Sequence, residues 1–360
     1  MKKILTVIGA RPQFVKAATV SRAFSKIKGV SEIIVHTGQH FDQNMSEVFF
    51  TEMEIPKPDH FLNVNSLGHG AMTGKMMEGL EALMISEKPD AVMVYGDTNS
   101  TLAGAITAKK LHIKVAHVEA GLRSFNMHMP EEVNRILTDR ISDILYCPTE
   151  VARKNLMEEG YGHFNARIAV IGDVMYDAAM YYAEKSHEKS SITDDLGLKD
   201  FALCTLHRAE NTDDKEKLAS ICSALNTIGK DLEIILPLHP RTKKMLAAYG
   251  LKLNVRTIEP VGYFDMIALI SSSDLVLTDS GGLQKEAYFF KKPCVTMREQ
   301  TEWVELIEAG VNMLTGSDGD LIVKSVEIMR NKELSFNADL YGDGNASVKI
   351  AEDLFASLND

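Results

Sequence analysis

Two hydrophobic patterns alternate along almost the whole chain. Short apolar runs rich in β-branched residues are separated by stretches in which apolar residues recur at helical spacing. Continuous apolar runs are typical of parallel strands buried on both faces, because neither face of such a strand meets water. They predict strands at 3–9, 32–37, 91–96, 114–119, 143–147 and 167–171, and again at 201–206, 233–238, 255–259, 275–279, 294–297 and 312–315.

The alternation is interrupted once, by the polar segment EKSHEKSSITDDLGLKD at residues 184–200. Its composition is typical of a linker. We therefore expect an N-terminal Rossmann-like domain over 1–183, a nucleotide-binding Rossmann-like domain over 201–340, and a C-terminal helix within 341–360 that packs back on the first domain. Two βαβ series joined once predict an α/β fold with two doubly wound domains facing a central cleft.

Composition narrows the class of protein. The 360 residues carry a net charge of −11, which argues against a nucleic-acid-binding protein because such a protein would need a basic face. No apolar run approaches the roughly 20 residues that span a bilayer, and the short apolar N-terminus predicts a first strand rather than a signal peptide. The four cysteines lack CxxC spacing, which favours buried free thiols and a cytoplasmic location.

Ligands of open parallel sheets bind outside the carboxyl ends of the strands, so the residues that follow each strand are the first candidates. Arg11 and Lys16 follow the first strand, near a predicted helix N-terminus that would attract an anion. Asp97 follows the third predicted strand. It either caps the next helix, a role that Thr98 or Asn99 also fits, or takes part in chemistry.

Two more carboxylates follow in the first half. Glu119 ends an apolar strand, where an acid is costly to bury without a partner, so it has either a partner such as Arg123 or a catalytic role. Glu131 and Glu132 lie in the first turn of a helix that begins with proline, and a helix start alone accounts for one of them. Helical spacing places Arg135 on the same face as Glu131.

In the second half, His207 and His239 each follow a predicted strand, where a histidine is either structural or an acid, base or phosphate ligand. The strand ending at 279 continues through Ser-Gly-Gly into a helix. Backbone N–H groups of such a turn approach a phosphate closely, and Glu286, one turn further, is placed to accept hydrogen bonds from a ribose diol. The predicted phosphate turn consists of Ser280, Gly281 and Gly282.

The sequence contains no metal-ligand spacing, no dinucleotide fingerprint and no P-loop. The residues by themselves therefore predict an α/β enzyme that acts on a phosphorylated or nucleotide ligand by acid/base chemistry, without a metal or cofactor. They do not name the reaction.

Six segments follow one another along the chain: GARPQFVK, YGDTNSTLAG, HVEAGLRS, PEEVNRILTD, TDSGGLQKEA and YGDGNAS. In combination they resemble the non-hydrolysing UDP-N-acetylglucosamine 2-epimerases, whose fold is similar to that of the GT-B glycosyltransferases. The resemblance covers nearly the whole chain.

The resemblance implies a role for each candidate residue. Three carboxylates and one histidine would be catalytic: Asp97, Glu119, Glu131 and His207. The substrate-binding residues would be Arg11, Lys16, Arg135, His239, Ser280, Gly281, Gly282 and Glu286. The family reaction inverts C2 of a UDP-N-acetylamino sugar by elimination and re-addition of UDP, for surface polysaccharide precursors, and the family resemblance further implies a homodimer.

Some segments depart from the commonest family pattern. The forms HTGQHFDQNM, TLHRAEN and TEWVE look like the subgroup that acts on UDP-2,3-diacetamido-2,3-dideoxyglucuronate. Many members also carry Gln-His-Arg-Gln, part of an allosteric UDP-N-acetylglucosamine site, where this chain has residues 39–42 with the sequence QHFD; we expect no need for that activator. A GT-B glycosyltransferase and a hydrolysing 2-epimerase are the alternative functions, and a nucleotide-binding regulator is a weaker one.

Overall fold

The computed structural model describes residues 1–39, 54, 56–336 and 339–359. Two parallel sheets organise these residues, which confirms the predicted α/β, doubly wound fold class. The first sheet has the strand order β3-β2-β1-β4-β5-β6-β7. Its strands are β1 Lys2–Ile8, β2 Val30–His36, β3 His60–Phe61, β4 Ala91–Tyr95, β5 Lys114–Val118, β6 Ile144–Cys147 and β7 Arg167–Val170.

The second sheet repeats this winding with the order β10-β9-β8-β11-β12-β13. Every predicted strand is found, with ends within two residues of the prediction, and β3 is the strand that the sequence did not predict. The strands of the second sheet are β8 Phe201–Thr205, β9 Glu233–Pro237, β10 Arg256–Ile258, β11 Leu275–Thr278, β12 Cys294–Thr296 and β13 Asn312–Leu314.

Helices lie between most successive strands in the described part of the chain. Those around the first sheet are α1 Arg11–Phe24, α2 His69–Glu87, α3 Asn99–Lys110, α4 Pro130–Ile141, α5 Glu150–Glu158 and α6 Val174–Lys189. A short α7 Ile192–Asp195 precedes the second sheet. Its helices are α8 Ala209–Thr212, α9 Lys215–Ile228, α10 Pro240–Tyr249, α11 Tyr263–Ser272, α12 Gly281–Phe289, α13 Val304–Glu308 and α14 Gly319–Asn331, and the chain closes with α15 Ala346–Ser357.

The chain divides into two compact units. The first comprises Met1–Ala178 with Asp339–Asp360, and the second comprises Ala179–Ala338. The residues expected to form a linker, 184–200, contain the end of α6 and all of α7. Within the first unit, Asp177 of α6 accepts hydrogen bonds from the backbone N–H groups of Ala346 (3.1 Å) and Ser347 (2.7 Å), which attaches the start of α15.

Each sheet has its own apolar core. Leu5, Val7, Val92 and Val94 of β1 and β4 are fully buried in the first unit. In both sheets the strand order reverses beside the first strand of the unit, between β1 and β4 and between β8 and β11, and ligands of such folds bind at the carboxyl ends there. In the part of the chain that the structure describes, no helix is long and apolar enough to cross a membrane.

Candidate active site

The turn after β4 presents Asp97. Gly96 has a φ of +63°, in the left-handed region that favours glycine, and the chain reverses there. The next helix, α3, is capped by Thr98, whose hydroxyl accepts a hydrogen bond from the backbone N–H of Thr101 at 3.3 Å. Since Thr98 is the cap, Asp97 is not needed to start the helix, and its carboxylate is available for chemistry.

The turn after β5 holds Glu119, which is only 6% exposed and has a φ of +72°. Its carboxylate forms an ion pair with Lys16 of α1. Arg123, which the sequence offered as a partner for Glu119, instead pairs with Asp139 (2.7 Å) and Glu159 (2.7 Å). Glu119 therefore has a buried cationic partner, but that partner comes from α1, the helix that follows β1.

The first turn of α4 distinguishes the two adjacent glutamates. Glu132 is 1% exposed and accepts hydrogen bonds from the backbone N–H groups of Ser124 (3.0 Å) and Phe125 (2.9 Å) and from Arg135. Glu131 is exposed. The structural role of a helix-start glutamate thus falls to Glu132, which leaves Glu131 for the catalytic role predicted for it.

Arg135 joins this helix to the β4 turn. Its guanidinium donates to Asp97 Oδ2 at 2.6 Å and to Glu132 Oε2 at 2.9 Å, rather than to Glu131. Asn134 donates to the backbone carbonyl of Asp97 at 2.8 Å. Two consecutive residues of α4 therefore fix both the backbone and the carboxylate of Asp97.

The electrostatic surroundings of Asp97 suit proton transfer. Burial raises the pKa of Asp97, and the neighbouring carboxylates Glu119 and Glu131 raise it further, against the opposing effect of Arg135 and Lys16. A carboxyl group whose pKa lies closer to the working pH both takes and returns a proton more readily. The first unit thus gathers three carboxylates and two cations around one strand-end turn.

Gln13 of α1 links the turn after β1 to the end of β4, and the residue was not among the sequence predictions. Its amide oxygen accepts from the backbone N–H groups of Gly9 (2.8 Å) and Ala10 (3.0 Å), while its nitrogen donates to the Tyr95 carbonyl (2.7 Å). A side chain on Gly9 would collide with the Ser100 and Thr37 hydroxyls, so glycine is required for this approach.

Two parts of the sequence predictions fall on positions without described side chains. The Arg11 side chain lies outside the described structure, as do residues 40–42 of the segment compared with the allosteric site. The substrate-binding role of Arg11 stays a prediction.

In the second unit, a buried aspartate organises the turn after β8. Asp279 is fully buried at the end of β11 and accepts from the backbone N–H groups of His207 (2.9 Å) and Arg208 (2.8 Å). Its Oδ1 also lies 3.3 Å from Nδ1 of His207. Asp279 was not among the sequence predictions, although an acid at the end of an apolar strand was the same signal that identified Glu119.

The two predicted histidines lie together at the carboxyl edge of the second sheet. The ring centroids of His207 and His239 are 5.6 Å apart. Burial lowers the pKa of His207, and the neighbouring His239 and Arg208 add to this, while Asp279 opposes it. The lowered pKa favours the neutral form of the ring, which can accept a proton as a general base does.

The predicted phosphate turn lies at the N-terminus of α12. Ser280 is the N-cap residue, and its hydroxyl makes no capping hydrogen bond to this helix. A side chain on Gly281 would lie within 3.7 Å of the guanidinium groups of Arg298 and Arg208 and of a carboxylate oxygen of Glu302, so two cations and one anion border the turn. Gly282 is exposed, and a β-carbon there would meet nothing within 4 Å.

Trp303 supports this turn from the other side. Its indole N–H donates to the carbonyl oxygen of Gly281 at 2.9 Å, and the Lys285 ammonium lies 4.0 Å from the ring centroid. Burial raises the pKa of Glu286, in the second turn of α12, to about 7, with Lys285 opposing. The turn, its helix and the TEWVE segment therefore form one packed group.

The candidate residues thus fall into two sets, one within each unit. The first unit brings together Lys16, Asp97, Glu119, Glu131 and Arg135. The second unit places His207, His239, Ser280, Gly281, Gly282 and Glu286 at strand ends or at the start of α12. Cations, backbone N–H groups and acid/base side chains are the components that the reaction of a diphosphate ester would need.

Comparisons with known proteins agree with this geometry. The family model described as UDP-N-acetylglucosamine 2-epimerase matches residues 22–354. A Pseudomonas aeruginosa protein, UDP-2,3-diacetamido-2,3-dideoxy-D-glucuronate 2-epimerase, is 56% identical over 97% of this chain and 98% of its own length.

Solved structures extend the likeness to the fold. The Methanocaldococcus jannaschii UDP-GlcNAc 2-epimerase in complex with UDP-GlcNAc and UDP is 43% identical, with a TM-score of 0.85 over 99% of this chain and 100% of the other. The Neisseria meningitidis UDP-GlcNAc 2-epimerase bound to UDP-GlcNAc is 31% identical, with a TM-score of 0.85 over 98% and 100%. The predicted GT-B type fold class is thereby confirmed, and the chain belongs to the UDP-N-acetylglucosamine 2-epimerase family.

Proposed function

We propose that this protein inverts C2 of a UDP-linked 2-acetamido sugar without releasing the free sugar, and that UDP-2,3-diacetamido-2,3-dideoxyglucuronate is its substrate. The observation that carries the reaction is the cluster of Asp97, Glu119 and Glu131 around Lys16 and Arg135. The substrate is supported by the 56% identity to the Pseudomonas enzyme, against 43% to the Methanocaldococcus enzyme, and by the TEWVE form of the segment at 301–305.

The chemistry proceeds in two mirrored steps. A carboxylate of the cluster removes the C2 proton, the C–H electron pair forms the C1=C2 double bond, and the C1–O bond breaks to release UDP. UDP then adds back to C1 while a second acid delivers a proton to the opposite face of C2. Proton transfers on both faces need more than one acid/base group, as the first unit provides.

The second unit supplies the groups that bind the leaving diphosphate. Ser280, Gly281 and Gly282 present backbone donors at a helix N-terminus, where negative charge is stabilised. His207 lies beside them as an acid/base or phosphate ligand, and Glu286 is placed to accept from the ribose diol. Arg11 and His239 are proposed as further substrate contacts.

Incubation of the protein in D₂O with each of the two UDP-sugars, followed by NMR at C2, tests the proposal. We expect inverted product that carries deuterium at C2, because the returning proton comes from a side chain that exchanges with water. Inverted product with the original hydrogen retained would contradict the elimination route. Release of free sugar and UDP would indicate a hydrolysing epimerase, and turnover only with an acceptor would indicate a glycosyltransferase.

The single tryptophan of the chain provides a binding assay. Trp303 contacts the Gly281 carbonyl, so UDP bound at the turn is expected to change its fluorescence. Trp303→Phe keeps a ring but loses the N–H group, and should weaken UDP binding about two- to tenfold, the net value of one hydrogen bond. Unchanged fluorescence, together with unchanged affinity of the variant by calorimetry, would show that UDP does not bind at this turn.

The raised pKa of Glu286 predicts pH-dependent binding. Burial raises the pKa to about 7 in the free protein, and a ribose diol donates to the ionised form. Affinity for UDP should therefore fall as the pH drops below about 7. Glu286→Gln should bind UDP more weakly, and its affinity should lack this pH dependence. The measurement is the ratio of the dissociation constants of the variant and the native protein across pH, because the titration of UDP itself cancels in that ratio. A constant ratio would contradict the assignment.

We also propose a cytoplasmic homodimer. The four cysteines, Cys147, Cys204, Cys222 and Cys294, are all buried free thiols, as expected for a reducing compartment. The dimer rests on the family membership, and sedimentation equilibrium of the purified protein tests it.

A further inference from the structure

His117 lies in β5, two residues before Glu119, and none of its side chain is exposed to solvent. Both ring nitrogens have close oxygen neighbours. Nδ1 lies 2.7 Å from Oδ1 of Asp139, and Nε2 lies 2.7 Å from the backbone carbonyl oxygen of Gly96. Each contact has the length of a hydrogen bond.

Both of these oxygens act as acceptors. A backbone carbonyl has no proton to donate. Asp139 accepts from the backbone N–H of Gly121 (3.1 Å) and from Arg123 (2.7 Å) through its other oxygen. Arg123 is positively charged at any ordinary pH, so its hydrogen bond to Oδ2 favours the ionised form of Asp139, in which Oδ1 is an acceptor too. Two acceptors facing one ring require that both ring nitrogens donate.

We propose that His117 is held as a buried imidazolium and acts as a positioning residue for the epimerase reaction, orienting the Gly96–Asp97 turn directly and the Glu119–Gly121 turn through Asp139. This assignment rests on the proposed function where it concerns catalysis. The protonation state itself does not depend on that function.

The charges around the ring alternate in sign. The cations are His117 and Arg123, and the anions are Asp139 and Glu159. Asp139 contacts both cations, and Glu159 contacts Arg123. A buried charge is tolerated when it is paired and its hydrogen bonds are satisfied, as they are for this ring. The network can therefore keep a charged histidine in a place with no access to water.

The two turns that the network contacts both need support. Gly96 and Glu119 have φ angles of +63° and +72°. For a residue with a β-carbon such as Glu119, this conformation is strained and persists only where the surroundings impose it. The hydrogen bonds to the Gly96 carbonyl and to the Gly121 N–H help to tie these turns to β5 and α4, together with the bonds from Asn134 and Arg135 to Asp97.

His36 provides a comparison within the same molecule. It is also buried, but its Nδ1 accepts a hydrogen bond from the backbone N–H of Gly38 at 2.8 Å. A nitrogen that accepts cannot carry a proton, and burial lowers the pKa of His36 to about 4. The two buried histidines should therefore differ at Nδ1, which donates in His117 and accepts in His36.

Nitrogen NMR of the ¹⁵N-labelled full-length protein tests the charge. At neutral pH we expect both ring nitrogens of His117 to have the chemical shift of protonated imidazole nitrogen, while Nδ1 of His36 has the shift of an unprotonated one. An unprotonated nitrogen in His117 would overturn the proposal. This measurement uses the native sequence, so it does not depend on a variant that folds or on any enzymatic activity.

Kinetics of His117→Asn and Asp139→Asn test the positioning role. Both should lower kcat on the epimerised UDP-sugar about 10²-fold with a much smaller change in KM, because a displaced carboxylate impairs the chemical step more than binding. Asp143→Asn is the matched control, since Asp143 bonds Lys109 and the Val115 N–H at the opposite end of β5. Wild-type kcat per folded molecule in both variants, with only a lower Tm, would overturn the positioning role.

Discussion

Glu131→Gln is expected to lower turnover at least about 10²-fold and to leave the free energy of unfolding unchanged. Glu131 is exposed at the start of α4, close enough to Asp97 to raise the pKa of that carboxyl group. The substitution removes a group that can take or give a proton and disturbs no described hydrogen bond of the Glu131 side chain. Turnover on the UDP-sugar and urea unfolding are the two measurements.

The adjacent residue is the matched control. Glu132→Gln alters a buried carboxylate that accepts from Ser124, Phe125 and Arg135, so it should cost about 1–3 kcal/mol of stability. Asp97→Asn and Glu119→Gln should resemble Glu131→Gln in turnover. Near-native turnover in Asp97→Asn, Glu119→Gln and Glu131→Gln together would disprove the assignment of the catalytic carboxylates.

Lys16→Met is expected to reduce kcat/KM about 10²- to 10³-fold, the effect of removing one donor from a preorganised charged site. It should also destabilise the fold by about 3–5 kcal/mol, because Glu119 is 6% exposed and its ion pair with Lys16 is broken. Initial rates across substrate concentrations and the midpoint of urea unfolding measure these two effects.

A double variant separates catalysis from stability. Lys16→Met with Glu119→Gln removes both charges, so stability should return toward that of the native protein while turnover stays low. Lys109→Met is the control, because Lys109 forms a half-exposed pair with Asp143 that contributes at most about 1 kcal/mol. If the double variant regained turnover, the ion pair would have only a structural role.

The strand prediction succeeded because strands buried on both faces must be apolar at nearly every position, and such runs are visible without any knowledge of the partner strand. β3 was missed for the opposite reason. It consists of His60 and Phe61 alone, pairs with the end of β2, and has no run long enough to detect.

The position of the candidate site was equally predictable. Parallel sheets place the carboxyl ends of their strands at one edge, so listing the residues after each strand found Asp97, Glu119, His207 and the glycine turn at 280–282. The same rule applies to Asp279, which directly follows β11. It was not predicted because the glycines beside it carried the stronger signal.

Partners were harder to predict than positions. Arg123 is four residues from Glu119 and was the natural choice, but Lys16, 103 residues away, forms the pair. Glu131 and Glu132 are identical in type and adjacent, yet a rotation of about 100° per helical residue directs one to the interior and the other to solvent. Sequence spacing gives the rotation between them but not the absolute direction of the helix.

The sequence by itself therefore determined the α/β class, the order of strands along the chain, the family and the edge of each sheet where the candidate residues lie. These follow from local hydrophobic pattern and from residues adjacent in sequence. The tertiary structure alone decided which acids are catalytic candidates and which are structural, and that His117 bonds Gly96 and Asp139, residues 21 and 22 positions away. Such pairings depend on how helices dock on the sheet, because only packing brings their side chains within hydrogen-bonding distance.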